Sequence, residues 1–236
     1  CYHKDPTMLA YIKDSTKDLH RDMAMECYLL EQRQMTKDIR YCGKNKFVFP
    51  QFYGDYYVNC AKNLWKAIDE MSLQTAEGTS LKEHMAKKGI RTLAQFEKHI
   101  QKVEDNFWNV RFKKYTQWKK EHYQKYLQNR YFDTLTGFRC QGMMSRNDVI
   151  NYPVQGSAFH CLLWSLIQIQ KQIKIERMQS LIVGQIHDSI ILDIVPEEEE
   201  KIVAILKEVM TQRIIKHWKW IIVPLDIEID VTPIDG

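Results

Sequence analysis

The chain has 236 residues, is 44% hydrophobic and 27% charged, and carries a formal net charge of +4. A chain of this length and composition can bury one large core or two modest ones, and so weak a positive charge does not by itself identify a polyanionic partner. The six cysteines lack CxxC spacing and no apolar stretch is long enough to cross a bilayer, so the sequence excludes a zinc module, a disulfide framework and a membrane protein, and indicates reduced thiols in the cytoplasm.

Helical patterns dominate the first half of the chain. Asp5-Pro6 and Asp18 are typical helix starts, and Pro50 is expected to interrupt the third helix because proline lacks the backbone donor. Apolar residues recur there at a spacing of three to four, which is the helical period. The predicted helices cover residues 6–12, 19–30, 36–47, 55–71, a short segment ending at 89, and 92–130.

The second half has mixed patterns and begins near residues 128–135. Two apolar β-type runs meet at His187-Asp188, which predicts a two-stranded hairpin. The predicted fold class is therefore α+β, with a small antiparallel sheet. The other predicted elements are strand-like residues 134–142 with a turn at Gly137, an apolar helix over 153–175, an amphipathic helix from 196, and a half-exposed strand over 223–231.

Asp188 is the first candidate for chemistry, because a carboxylate at a hairpin turn is held rigidly and projects outward. Nucleotidyl transfer with two metal ions needs aspartate oxygens that hold Mg²⁺ against a triphosphate. An ordinary turn also favours aspartate, so this alternative stays open at the level of the single residue.

A second candidate is a row of cations on the third predicted helix. Arg40 and Lys44 are four residues apart and share one helix face, while His20 lies at the start of the preceding helix. Such a row can grip a triphosphate, and either Phe47 or Phe49 could stack on a base. A solvated helix face is the alternative.

Two further segments have a composition that suits nucleic acid. Asn151 and Gln155 are amides at the start of a buried helix, where they could read minor-groove acceptors or simply cap the helix. Residues 111–125 interleave cations with tyrosine and tryptophan, as surfaces that track phosphates and stack on bases do. The alternative for this stretch is a solvated face whose aromatic rings are buried.

Taken together and in order, these segments resemble the family A (Klenow-like) DNA polymerases. The matching segments are Asp18–His20, Arg40 to Lys44 with Phe49 and Tyr53-Gly54, Phe132–Cys140, Asn151–Ala158, Gly184–Pro196, Lys207–Met210 and Val223–Val231. The resemblance covers most of the chain apart from roughly residues 55–105. It implies helical fingers over residues 15–130, a palm over 131–236 that carries the His-Asp hairpin, and a palm-edge helix over 1–14.

The resemblance also assigns roles. Asp188 corresponds to a catalytic, metal-binding aspartate, and His187 lies beside the primer end. His20, Arg40 and Lys44 contact the dNTP phosphates, Arg40 and Lys44 counting as catalytic, and Tyr53 packs near the templating base. Arg139, Asn151 and Gln155 contact the primer–template. Two Mg²⁺ ions are expected in the complete site.

Several departures from the family pattern matter. Ser189 stands where an acidic residue usually follows the aspartate, and one extra residue separates Lys44 from Tyr53. Counting back from Tyr53 selects Phe49 as the stacking aromatic, whereas counting along an ideal helix from Arg40 selects Phe47. A bulge that absorbs the extra residue favours Phe49, and Pro50 gives a further reason to expect a distortion there.

The family's first catalytic motif, motif A, would lie just before Cys1. We therefore expect the motif and the thumb on another polypeptide or on upstream sequence, through a split gene, protein splicing at Cys1 or a proteolytic nick. The predicted function is template-directed DNA synthesis in a phage-type enzyme acting in the bacterial cytoplasm. The alternatives are a fragment of a single-subunit RNA polymerase and a non-catalytic nucleic-acid-binding subunit.

Overall fold

The computed structural model describes residues 1–232 and divides the chain into two compact units. The helical unit holds His3–Glu121, and the sheet unit holds Cys1–Tyr2 together with the residues from His122 onward. The predicted α+β class is confirmed, since helices dominate and the strands of the described residues form two small antiparallel pairs. None of the helices described is long and apolar enough to span a membrane.

The helical unit is built from short helices with capped starts. The Asp5 carboxylate accepts hydrogen bonds from the backbone of Thr7 and Met8, and the Asp18 carboxylate accepts from His20 and Arg21, which confirms both predicted caps. The helices are α1 (Pro6–Lys13), α2 (Leu19–Tyr28), α3 (Lys37–Gly43), α4 (Phe49–Tyr53), α5 (Tyr57–Glu70), α6 (Leu81–Lys87), α7 (Leu93–Asn106) and α8 (Lys113–Asn129), whose last turns lie in the sheet unit.

One aromatic-rich core holds these helices together. The predicted inward residues of α2, Ala24, Cys27 and Tyr28, are fully buried. The Tyr28 hydroxyl donates to the Leu64 carbonyl oxygen at 3.0 Å, so this buried polar group of α2 is satisfied by α5. Phe96 of α7 stacks on the Tyr28 ring with centroids 6.0 Å apart.

The predicted helix over residues 92–130 is broken. After α7 a π-helical turn covers Phe107–Arg111, and Phe112 leaves the helical conformation with φ −114° and ψ 42°. A carboxylate oxygen of Asp5 then accepts from the backbone N–H groups of Lys114 and Tyr115, both at 3.1 Å, and so caps the start of α8. The apolar spacing continues through the π turn, which is why the pattern concealed the break.

Asp5 also ties the first helix to the later helices. Because Asp5 caps both α1 and α8, and Tyr11 donates to Asp22 at 2.8 Å, residues 3–13 pack within the helical unit. The two units divide inside α8, between Glu121 and His122, which is earlier than the predicted boundary. The names fingers and palm for these units remain a proposal.

The sheet unit contains two hairpins and a long helix. Strands β1 (Tyr131–Asp133) and β2 (Arg139–Gln141) pair antiparallel, with Gly137 of the loop at φ 87°. Strands β3 (Leu181–Ile186) and β4 (Ser189–Asp193) form the predicted hairpin around His187-Asp188. The helices are α9 (Arg146–Ile175), α10 (Glu199–Lys207) and α11 (Ile214–His217), the last two joined by a π turn over Glu208–Arg213.

Residues 223–231 do not form the predicted strand. Their burial does alternate, with Ile227 and Ile229 packed against the core formed by α9 and α10 and the acidic residues between them exposed. No strand of the described residues pairs with this segment, so its backbone donors and acceptors lack a ladder. The apolar–acidic pattern predicts which side is buried, whereas a strand also needs a neighbour.

Candidate functional site

The predicted cations of the helical unit are brought together by Asp18. This carboxylate caps α2 and also binds Arg40 of α3, with Arg40 Nε 2.6 Å from one oxygen and an Arg40 terminal nitrogen 3.3 Å from the other. Burial opposes ionisation of Asp18, but the hydrogen bonds from Arg40 and from the backbone prevail and lower its pKa. The arginine is thus oriented beside the N-terminal turn of α2, where His20 lies.

His20 completes one side of this cluster. Burial, reinforced by the charges of Arg40 and Lys44, lowers the pKa of the imidazole. Its Nδ1 is buried and has no hydrogen-bond partner within residues 1–232. A neutral ring with an unused nitrogen beside two cations can hydrogen-bond to an anion, and the anion would favour ring protonation.

The extra residue between Lys44 and Tyr53 is absorbed in a π-helical turn over Lys44–Val48. Phe47 is consequently buried against Phe107, at 5.5 Å between ring centroids, whereas Phe49 is 39% exposed. The Phe49 ring meets His20 edge to face at 5.7 Å, and Lys44 Nζ lies 5.2 Å from its centroid. The structure therefore places Phe49, and not Phe47, beside His20 and Lys44. The surface formed by His20, Arg40, Lys44 and Phe49 is called the cation face.

Pro50 does not interrupt the helix, contrary to the expectation from the sequence. The widened π turn lies directly before it, so Pro50 becomes the second residue of α4 and the helix continues to Tyr53. Gly54 then ends the helix in the left-handed conformation, with φ 94°. Tyr53 is 56% exposed at this end of the helix.

Gly43 allows α2 and α3 to approach closely enough to form the cluster. A Cβ atom built at Gly43 would lie 2.6 Å from Ala24 Cβ and 2.9 Å from the His20 carbonyl oxygen. The sequence signal was a glycine inside a helical pattern, which often has a packing reason. Neither this contact nor the Asp18–Arg40 pair could be found from spacing, because each joins different helices.

Replacing Gly43 with alanine is expected to lower the free energy of unfolding by about 1–3 kcal/mol, because overpacking forces α2 and α3 apart. Denaturant unfolding monitored by circular dichroism measures the change. Gly156→Ala in α9 is the matched control, since the nearest atom to its Cβ would be Thr134 Cγ2 at an ordinary 3.8 Å. Equal stability of the two variants would contradict this account of the helix contact.

In the sheet unit, Asp188 lies at the turn between β3 and β4. His187 adopts a positive φ of 50° and its carbonyl oxygen accepts from Gln185 Nε2 at 2.6 Å. The Ser189 hydroxyl donates to the Ile186 carbonyl oxygen at 2.8 Å, so Ser189 fastens the turn and supplies no second carboxylate. Both His187 and Asp188 are exposed.

A cavity of about 430 Å³ opens beside this turn, within the sheet unit. Asp188 lines it together with Val154 and Ser157 of α9 and residues that follow α11, including Leu225 and Asp226. The walls are otherwise mostly apolar. Among residues 1–232 no group of three or more His, Cys, Asp or Glu side chains is placed to hold a metal ion. Asp188 can contribute one metal contact, but the described residues do not by themselves fit a two-ion site.

The remaining predicted contacts lie on α9 and β2. The Tyr2 hydroxyl donates to the Pro153 carbonyl oxygen at 2.9 Å and accepts from the Leu135 N–H at 2.9 Å, which ties α9 to the β1–β2 loop. Gln155 is exposed and Asn151 is half-buried, and both lie on α9, which the Tyr2 hydroxyl links to the β1–β2 loop. Their helix starts at Arg146, earlier than predicted, with Ser145 as its cap.

Arg139 on β2 is already engaged within its hairpin. Its Nε and a terminal nitrogen donate to the two carboxylate oxygens of Asp133 at 2.8 and 2.9 Å, and its guanidinium lies 4.0 Å from the Tyr131 ring centroid. Hydrogen bonding to Arg139 lowers the pKa of Asp133. An exposed pair of this kind orients the guanidinium without burying it.

Comparisons with known proteins agree with these features. The sequence profile of DNA polymerase family A matches residues 2–234. DNA polymerase I of Lactococcus lactis subsp. cremoris (strain MG1363) is 38% identical over 77 residues, which are 33% of this chain and 9% of that protein. The DNA polymerase of Bacillus phage SP01 is 24% identical over 221 residues, which are 89% of this chain and 21% of that protein.

Among solved structures, the POL domain of Pol1 from M. smegmatis, in complex with DNA primer-template and dNTP, matches with a TM-score of 0.64 and 18% identity. The match covers 89% of this chain and 33% of that one, and it shows a shared fold. The chain thus spans about a third of the solved relative and about a tenth of the Lactococcus polymerase.

Proposed function

The chain belongs to DNA polymerase family A, and we propose that it forms the fingers and most of the palm of a template-directed DNA polymerase. The observation that carries this proposal is the cation face of the helical unit, where Asp18 orients Arg40, and Phe49 meets both His20 and Lys44. A face with a guanidinium fork, an ammonium and a neutral imidazole suits a triphosphate, and the adjoining exposed ring suits a base.

On this proposal each residue of the cation face has one task. Arg40 and Lys44 bind phosphate oxygens and stabilise the charge that develops on them during transfer to the primer 3′-hydroxyl. His20 hydrogen-bonds to a phosphate oxygen through its ring, Phe49 stacks on the incoming base, and Tyr53 lies near the templating base. The Asp18 carboxylate keeps Arg40 in place before the nucleotide binds.

We assign the binding of the metal ions and of the primer–template to residues of the sheet unit. Family A polymerases use divalent metal ions, and we propose two Mg²⁺ ions, which would neutralise the charge of the triphosphate and activate the primer hydroxyl. Asp188 would hold one side of that centre. We assign His187 to the primer end, and Arg139, Asn151 and Gln155 to primer–template contacts.

The rest of the centre is proposed to come from an N-terminal polymerase portion that carries motif A and the thumb. Two features of the sheet unit support this. The apolar cavity beside Asp188 has about 430 Å³ of space, and no strand of the described residues is paired with residues 223–231, which include cavity-lining Leu225. A strand inserted there would gain hydrogen bonds and bring a second carboxylate towards Asp188.

Nucleotide binding is expected to raise the pKa of His20. In the free protein this pKa is lowered by burial and by the neighbouring cations, so the ring is neutral near pH 7. A bound triphosphate favours the protonated ring, and by linkage dNTP affinity therefore increases as pH falls between the free and bound pKa values. Titration of the His20 imidazole by NMR, assigned with His20→Gln, measures this; an unchanged pKa would contradict the phosphate contact.

In the basic stretch over residues 111–125, the cations remain candidates for binding phosphates, but two of the aromatic rings do not remain candidates for stacking on bases. Tyr115 is buried and Trp118 packs against the helical core, so these rings do not offer a base-stacking face. Lys119 Nζ lies 3.0 Å from the Trp108 ring centroid. Lys113, Lys114 and Lys120 are exposed and can still meet phosphates.

Changing Lys113, Lys114 and Lys120 together to glutamine is expected to reduce the slope of log K against log salt for duplex DNA by about 2–3, because each phosphate contact contributes about 0.9. Fluorescence anisotropy across a range of salt concentrations measures the slope. Lys119→Gln is the matched control, because its ammonium contacts Trp108 and its loss should leave the slope nearly unchanged. An unchanged slope in the triple variant would mean that these lysines do not contact DNA phosphates and form only a solvated surface.

Primer extension by this chain combined with an N-terminal portion that carries motif A and the thumb tests the proposed function. We expect incorporation of dNTPs in the presence of Mg²⁺, with little use of NTPs. A preference for NTPs would support the RNA polymerase alternative. DNA binding without any incorporation would support a non-catalytic subunit. The reason to test this alternative is that the His187-Asp188 turn has a single carboxylate and that the described residues contain no group of three metal ligands.

Origin and location are also proposals. The phage relative covers most of this chain, which supports a phage-type enzyme working in the bacterial cytoplasm. Intact-mass measurement of the native protein distinguishes two polypeptides from one, and covalent sequence upstream of Cys1 would refute the split.

A further inference from the structure

A cluster of aromatic rings lies in the sheet unit on α9, α11 and the residues that follow α11. Trp164 of α9 and His217 of α11 are stacked, with centroids 4.9 Å apart and planes inclined by 18°. Trp218 lies 4.9 Å from His217 and 5.8 Å from Trp164. His217 is exposed as a residue, so the stacked pair ends at the protein surface.

Two of these rings, those of Trp164 and Trp218, pack against other residues of the sheet unit. Trp164 packs against the apolar core formed by α9 and α10, and Trp220 backs Trp218 with centroids 5.7 Å apart. Trp220 also lines the cavity beside Asp188, so we assign it to support and not to contact. Rings that are held by a core lose little conformational freedom when they bind a planar partner.

The charged residues of the two chain segments that carry these rings have one sign. Lys216 and Lys219 flank His217 and Trp218 in the chain, and both are exposed. No Asp or Glu occurs in residues 209–225, nor in residues 149–175 of the helix that carries Trp164. Arg213 and Lys171 add further cations to these two segments. Such a surface is complementary to a polyanion that also carries planar rings.

We propose that this surface binds single-stranded DNA, with a base stacked on His217 and Trp218 and neighbouring phosphates on Lys216 and Lys219. Aromatic rings interleaved with cations are what sequence-tolerant single-strand sites use. Duplex DNA hides its base faces, so it offers this surface only its phosphates. The surface lies outside the residues assigned to the dNTP, the metal ion and the primer–template, and therefore adds a second nucleic-acid contact.

Binding of fluorescein-labelled dT20 to the whole protein, measured by anisotropy without dNTP or Mg²⁺, tests the proposal. Lys216→Glu with Lys219→Glu is expected to weaken binding at least about tenfold and to lower the salt slope by about 1.4, since each single-strand phosphate contributes about 0.7. His217→Ala is expected to weaken binding about tenfold through lost stacking while leaving the salt slope unchanged. The exposed position of His217 makes this change compatible with folding.

Lys98→Glu with Lys102→Glu on α7 is the matched control, because it makes the same charge change at two exposed lysines of one helix. Wild-type affinity in the Lys216/Lys219 variant, or equal losses in both double variants, would overturn the proposal. So would equal weakening of dT20 and of a 20-base-pair duplex by His217→Ala, or saturable binding of polyglutamate in place of dT20. The assay uses no catalysis, so its failure is distinct from a failure of the proposed polymerase function.

Discussion

Asp188→Ala is expected to abolish primer extension by the assembled enzyme, with a fall in kcat of about a thousandfold or more. The reason is that Asp188 supplies the carboxylate at the turn of the β3–β4 hairpin, and a metal centre contributes several kcal/mol of charge stabilisation to the transition state, at about 1.4 kcal/mol for each tenfold in rate. Single-turnover extension with saturating DNA and dNTP measures this loss.

Asp193→Ala is the matched control for this substitution. Asp193 is an exposed aspartate at the far end of β4, paired with Leu181, and removing it takes away the same charge from the same hairpin. We expect near wild-type activity from it. Full activity in the Asp188 variant would refute its assignment, and equal losses in both variants would point to damage to the hairpin.

Lys44→Ala is expected to lower kcat/KM for dNTP by about 10- to 100-fold, because a charged hydrogen bond to a phosphate is worth about 1.5–3 kcal/mol. Affinity for the primer–template should stay close to that of the wild type, since Lys44 is assigned to the triphosphate. Steady-state extension over a range of dNTP concentrations, with anisotropy for DNA, separates the two quantities.

Lys37→Ala on the same helix provides the comparison for Lys44. Lys37 is exposed at the first turn of α3 and lies outside the assigned cluster. We expect its kcat/KM to match the wild type. If Lys44→Ala weakened DNA binding and left the dNTP dependence alone, the cation face would have to be reassigned from nucleotide to DNA.

Local signals predicted much of the fold. Asp5 and Asp18 were found as caps, and His187-Asp188 as a hairpin turn, because each depends on a few neighbouring residues. The choice of Phe49 over Phe47 also follows from local counting once the extra residue is absorbed as a π turn. Such features depend only on residues that are close together in the sequence.

What the sequence could not show depends on contacts between distant residues. The second cap made by Asp5, at the start of α8, breaks a helix that the apolar spacing would have continued. The Asp18–Arg40 pair joins two helices, and residues 223–231 lack a neighbouring strand among the described residues. Burial patterns reveal the inner face of a segment, whereas pairing depends on what lies beside it.

A complementation experiment decides whether this chain supplies one half of a polymerase active site. Primer extension is measured with this chain alone, with an N-terminal portion that carries motif A and the thumb, and with the two mixed. We expect dNTP incorporation only in the mixture, and its loss when the chain carries Asp188→Ala. Extension by this chain alone, or by a mixture in which Asp188 has been replaced, would contradict this expectation.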